Sequence, residues 1–194
     1  MVATNDISGL LSERFVKNLF PIPPTNQFPM AMLAPPFELV NVQTGQFVKL
    51  SDYVGPLSAG IASAGIAIDR RPVVLAFTRI FTDRHYCPLC HPHIVAMNQS
   101  YEKFVQRGAE VLMITSTDKS QSEIVARDLG LKMPLLSDPT CQVFRMYRLG
   151  QALGAPLPAQ FILDRTGQIR FRHLFSFLEP NASVDRLLSV LDAI

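Results

Sequence analysis

Residues 71–78, RPVVLAFT, set apolar side chains one after another without alternation, the pattern of a strand covered on both faces of a sheet. EVLMITS at residues 110–116 repeats that pattern. Between the two runs, Ile94, Met97, Tyr101, Phe104 and Val105 recur at helical spacing and stop at Gly108, which predicts one helix. Strand, helix and strand in this order predict a right-handed parallel crossover.

The flanking segments add antiparallel pieces. AQFILDRTGQIRFRHLF, residues 159–175, predicts two strands around DRTG, and FELVNVQTGQFVKLSDY, residues 37–53, predicts a second hairpin around QTGQ. A helix is expected over residues 120–129, ending at Gly130, followed by a short extended piece in MPLLSD. DPTCQVFRMYRL, residues 138–149, predicts a helix with Asp138 as cap and Pro139 at its first position. The last amphipathic helix is expected over residues 181–194, with Val184, Leu187, Leu188, Leu191 and Ile194 on its apolar side. Residues 55–71, small and apolar without a period, are expected to be a loop with some helical character. This order predicts an α/β protein whose central mixed sheet is parallel in one part and antiparallel at one edge, flanked by helices.

The first third differs in kind. Ile7, Leu10, Leu11, Phe15 and Leu19 mark an amphipathic helix over residues 5–20 that must cover its own domain or a second copy, the latter giving a homodimer. Six of the fifteen prolines then fall in residues 21–36, which excludes helix and predicts an extended connector. We therefore divide the chain into a helix and proline-rich connector, residues 1–33, and a compact domain, residues 34–194.

Composition narrows the function. A chain of 194 residues can bury a core without crosslinks, so its three cysteines are not needed as staples. With 48% apolar and 18% charged residues and a net charge of +2, no field points to nucleic acid or an anionic membrane. No secretory leader or membrane span is read, so a cytoplasmic location is expected, where thiols stay reduced and a C-x-x-C pair is more often catalytic or metal-binding than structural.

That pair stands in YCPLCHPH, residues 86–93. Cys87 is expected at the start of the helix after the buried strand, where unpaired backbone N–H groups favour thiolate over thiol. Cys90, one helical turn on, is placed to attack a mixed disulfide on Cys87 and release the product. Pro88 suits a first helical turn, whereas Pro92 either kinks the second turn or moves the helix start to about His93. Zinc is the competing reading, through Cys87, Cys90, His91 and His93, but adjacent ligands on one helix diverge instead of wrapping a metal. No metal or cofactor is therefore expected. His91 and His93 are read as surface or capping residues that, if cationic, would lower the thiol pKa. Cys141 is read as a small packed residue in preference to a second resolving thiol.

Residues 34–194 resemble the thioredoxin-fold superfamily, and within it the peroxiredoxin-like branch of alkyl hydroperoxide reductases and thiol-specific antioxidant proteins. The carriers are APPFELVNVQTGQFVKLSDY, RPVVLAFT, LLSDPTCQVFRMYRL and PAQFILDRTGQIRFRH. The resemblance implies a thioredoxin-like fold with the reactive cysteine at a helix start. It also implies a proline and a threonine or serine upstream of that cysteine, where this chain has Ile80 and Arg84, with Thr82 as the nearest hydroxyl. The family's peroxide-polarising arginine falls at Pro158, so Arg79 or Arg84 would have to replace it. Pro158 itself resembles the proline that thioredoxins place before this strand, usually after a cis bond, to shape the groove facing the dithiol. Unlike thioredoxins, the chain has no tryptophan, and Tyr86 precedes Cys87.

The leading expectation is a thiol-disulfide oxidoreductase, with Cys87 attacking a disulfide, Cys90 resolving, and a thiol donor such as thioredoxin or glutathione restoring the dithiol. The alternative is a thiol-dependent peroxidase, in which Cys87 becomes a sulfenic acid and condenses with Cys90. A second alternative is a non-catalytic thioredoxin-fold module for binding or redox sensing.

Overall fold

A computed structural model describes residues 13–26, 28–55 and 70–194. A short helix, α1 (Glu13–Lys17), leads into the extended connector, and then β1 (Glu38–Asn41) and β2 (Phe47–Lys49) form the first hairpin. The central strand β3 (Val73–Thr78) is followed by a small hairpin, β4 (Ile80–Thr82) with β5 (His85–Tyr86). Next come α2 (His91–Gln99), α3 (Tyr101–Val105), β6 (Glu110–Thr115), α4 (Lys119–Asp128), β7 (Leu135–Ser137) and α5 (Gln142–Met146). A second small hairpin, β8 (Gln151–Ala152) with β9 (Ala155–Pro156), precedes β10 (Ala159–Leu163), β11 (Ile169–Leu174) and α6 (Val184–Leu191).

Seven strands make one sheet in the order β11-β10-β3-β6-β7-β1-β2. β3, β6 and β7 run parallel, while β10 and β11 on one side and β1 and β2 on the other are antiparallel. Every residue of β3 is buried, as an unalternating apolar run requires. Val73, Leu75 and Phe77 enter one core with Phe144, Tyr147 and Phe161, whereas Val74 and Ala76 enter a second with Ile94, Met97, Phe104 and Leu187. The period of two thus divides one strand between two cores. Tyr147 is the hub of the first core, in ring contact with Phe28, Phe37, Phe77 and Phe161, and its hydroxyl donates to Pro35 O at 2.8 Å. Truncating Phe77 at that hub would cost about 3–5 kcal/mol, the usual penalty for emptying a buried aromatic site.

Several elements depart from the predicted ones. The helix expected up to Gly108 breaks at Ser100, whose backbone (φ −98°, ψ 5°) ends α2 and begins α3. The helix expected from Pro139 begins only at Gln142, because Cys141 takes a left-handed conformation, φ 56°. Asp138 still caps it, its carboxylate accepting from the N–H groups of Gln142, Val143 and Phe144. The last helix ends at Leu191, short of the expected Ile194. Of the helix predicted over residues 5–20, residues 13–20 are described and the helix ends at Lys17, short of Phe20; residues 1–12, and residues 56–69 of the loop expected over 55–71, lie outside the described residues. The connector is extended and ordered, bridging Ile22 to Gln151 and Leu33 to Gln168.

Candidate active site

The parallel centre of the sheet delivers β3 to the dithiol. Thr78 ends the strand, Arg79 follows, and β4–β5 returns the chain to Cys87. The segment from Cys87 to Cys90 is one helix-like turn, in which the N–H groups of Cys90 and His91 both donate to Cys87 O at 3.0 Å. Regular helix begins at His91 with Cys90 as N-cap, so Cys87 stands one turn before α2 and not at its cap. Pro92 thereby falls in the first turn, where an N–H has no intrahelical partner to lose, so the helix starts later than Cys87, at His91 and two residues before the expected His93, and no kink is needed.

Both thiols are free and buried, Cys87 5% and Cys90 1% exposed. The Cys87 thiol is lowered to about 6, first by a hydrogen bond from the Cys90 thiol, then against the cost of burial by the N–H groups of Leu89 and Cys90 and by the Arg79 guanidinium. Cys90 moves the other way, pushed up first by the same hydrogen bond and then by burial. The pair therefore divides its work, with a thiolate at Cys87 and a proton kept on Cys90.

Of the two candidate arginines, the structure brings Arg79 to the thiols. Arg79 is buried, hydrogen-bonds Cys87, and stacks over the Phe81 ring at 4.7 Å. Its Nη2 donates to Ala152 O and, at 3.2 Å, to Leu153 O, both in the β8–β9 hairpin. Arg84 is instead 78% exposed in the β4–β5 turn and lies 3.9 Å from Asp83. Thr82 is also turned away from catalysis: its hydroxyl closes that turn, 2.8 Å from His85 Nδ1 and accepting from the Arg84 and His85 N–H groups. Ile80, in the family's proline position, is fully buried core.

Tyr86 stacks edge-on against His91, centroids 5.0 Å apart. His93, read as a surface or capping residue that would lower the thiol pKa only if cationic, does not meet that condition, because burial lowers its own pKa to about 4 and leaves the ring neutral at neutral pH. Pro158 is buried just before β10, but the described chain contains no cis peptide bond, so the thioredoxin-like cis proline is not present. Cys141 packs in the first core with Asn18 Nδ2 donating to its Sγ at 3.7 Å, and burial raises its pKa. Among the described residues no group of three or more His, Cys, Asp or Glu side chains is placed to hold a metal ion.

A further support reaches the C-x-x-C turn from outside it. Asn181 Nδ2 donates to Leu89 O within the C-x-x-C turn at 3.1 Å, and Gln160 Nε2 in turn donates to Asn181 Oδ1 at 3.0 Å. Gln160 is wholly buried in an otherwise apolar strand, a polar exception that the sequence displays but whose partner only the fold supplies.

Comparison with known proteins places this geometry. Residues 31–172 match the model described as the AhpC/TSA family. The chain is 30% identical to a peroxiredoxin of Schizosaccharomyces pombe over 82% of its own length and 78% of that protein's. It is 27% identical to the chloroplastic peroxiredoxin Q of Populus jackii, covering 83% of this chain and 67% of that one. Among solved structures, peroxidoxin BcpB of Mycobacterium tuberculosis superposes with a TM-score of 0.66 at 20% identity, covering 87% of this chain and 99% of that one.

Proposed function

The chain belongs to the AhpC/TSA family, the peroxiredoxin-like branch of the thioredoxin fold, and from that membership we propose a thiol-dependent peroxidase with Cys87 peroxidatic and Cys90 resolving. The carrying observation is a thiolate held near pKa 6 on a cysteine only 5% exposed. A disulfide in another protein must bring its sulfur into line with Cys87, which so little exposure hinders, whereas a hydroperoxide offers a slim O–O bond. This favours the peroxidase over the disulfide exchange that the motif alone put first.

In the first step the Cys87 thiolate attacks the outer peroxide oxygen, the O–O bond breaks, and the departing alkoxide or hydroxide takes a proton to leave as alcohol or water. Arg79 holds positive charge beside the reacting sulfur and stabilises the anions on both sides of the step. Cys87 is then a neutral sulfenic acid, and the hydrogen bond that held the proton on Cys90 is gone. Cys90 loses its proton, its sulfur attacks that of Cys87, water departs and a disulfide closes within one helical turn. Two electrons from a cellular thiol such as thioredoxin or glutathione, in a cytoplasm that supplies them, restore the dithiol.

Stopped-flow mixing of the reduced protein with hydrogen peroxide, and separately with an oxidised dithiol, tests the reading. Peroxide should be consumed far faster than by free cysteine, with the rate lost in Cys87→Ser. Faster reaction with the dithiol would return the function to disulfide exchange.

A further inference from the structure

Arg14, on α1, takes no part in the chemistry above, yet it is half-buried against the loop that carries it. Its Nη1 donates to Ile80 O at 3.2 Å and to Ser116 Oγ at 2.8 Å, and its Nη2 donates to Phe81 O. These bonds fix β4 directly after Arg79, including the Phe81 backbone whose ring bears the Arg79 guanidinium. The other support of Arg79, the carbonyls of Ala152 and Leu153, hangs from the same N-terminal segment. Gly154 N donates to Asn18 O at 3.0 Å, Leu153 N to Leu19 O at 3.2 Å, and Gln151 Nε2 to Lys17 O at 3.0 Å. Gly154 has φ 84° and lies so close to Phe15 that a Cβ there would overlap the ring.

Both supports of Arg79 thus converge on residues 14–19. We infer that Arg14 is a positioning residue, which clamps the Ile80–Phe81 backbone and so keeps the Arg79 guanidinium against the Cys87 sulfur. The inference rests on the reading of Cys87 as the reactive thiolate with Arg79 as its cation. A helix that only covered the domain would do so with apolar side chains, because burying a guanidinium carries a desolvation cost. That cost is offset here by three acceptors arranged for a planar fork, which a lysine could not span.

The test is the pH dependence of Cys87 alkylation in the full chain, followed at that cysteine by peptide mass spectrometry, for Arg14→Ala, Arg79→Ala and the double variant. Arg79→Ala should raise the alkylation midpoint by about one pH unit, the low end of what a neighbouring cation contributes. Arg14→Ala should raise it in the same direction by less, and the double variant should match Arg79→Ala alone. An unmoved midpoint in Arg14→Ala beside a moved one in Arg79→Ala overturns the inference, as does a double variant whose shift is the sum of the two. An unmoved midpoint in Arg79→Ala instead removes the premise that Arg79 acts on the thiolate. If Arg14→Ala does not fold, Arg14→Lys, which keeps the charge and loses the fork, carries the same expectations.

Discussion

A thiolate at Cys87 depends above all on the proton that Cys90 keeps. Because the Cys90 hydrogen bond is the largest influence on Cys87, ahead of Arg79, Cys90→Ala should raise the Cys87 pKa further than Arg79→Ala does, and Cys90→Ser, which retains a donor, should raise it less. Since the Cys87 pKa is lowered from 9.0 to about 6, the rate of peroxide consumption should climb through that pH and level off above neutrality. In Cys90→Ala the climb should move towards the ordinary thiol range, and a single-turnover pH profile reads both. The two cysteines were legible because their spacing is itself the chemistry. Arg79 was legible only as one of two arginines, since choosing between it and Arg84 requires knowing that β4–β5 forms a hairpin with Arg84 at its exposed tip.

Among the elements, α5 depends on a single side chain for its start. Asp138 accepts from three consecutive N–H groups and from Thr140 Oγ1, and its own N–H donates to Thr115 O, tying the helix to the end of β6. Asp138→Ala should destabilise the protein by about 1–3 kcal/mol, the cost of stranding buried donors, measured as a lower midpoint of urea unfolding at unchanged slope. The long elements could be read from their periods: β3 and β6 from unbroken apolar runs, β10 and β11 from the DRTG turn. The short hairpins could not. β8 and β9 hold two residues each, too few for any period to register, and their pairing follows from contact with residues 18–22. The start of α5 was misread because Pro139 suits a first helical position, while Cys141 in the left-handed region delays the helix.

At the scale of the molecule, the thiol proposed to resolve, Cys90, sits in the same chain and the same turn as Cys87, while Cys141 is held apart in the aromatic core. Peroxide should therefore remove two of the three free thiols. Titration of the denatured protein after treatment should count one remaining thiol, at Cys141, and non-reducing electrophoresis should show a single-chain mass. Counting none, or finding a crosslinked pair of chains, would place the resolving thiol elsewhere. The mixed sheet and its two covered faces followed from sequence, as did the extended path of the connector, because burial pattern and proline density act locally. That Arg14 of α1 bonds the backbone next to Arg79 did not, because Arg14 and Ile80 are 66 residues apart.

The edge contact of Tyr86 with His91 also has an optical consequence. The chain has no tryptophan and four tyrosines, so its intrinsic ultraviolet emission is tyrosine emission alone, and Tyr86 is bonded directly to Cys87. Emission from Tyr147, sealed among phenylalanines, should follow the integrity of the core, while that from Tyr86 should follow the charge and oxidation of its neighbouring sulfur. The protein thus carries its own fluorophore beside the proposed reacting sulfur, and an emission change on adding peroxide to the unlabelled chain is expected, one that Tyr86→Phe should remove.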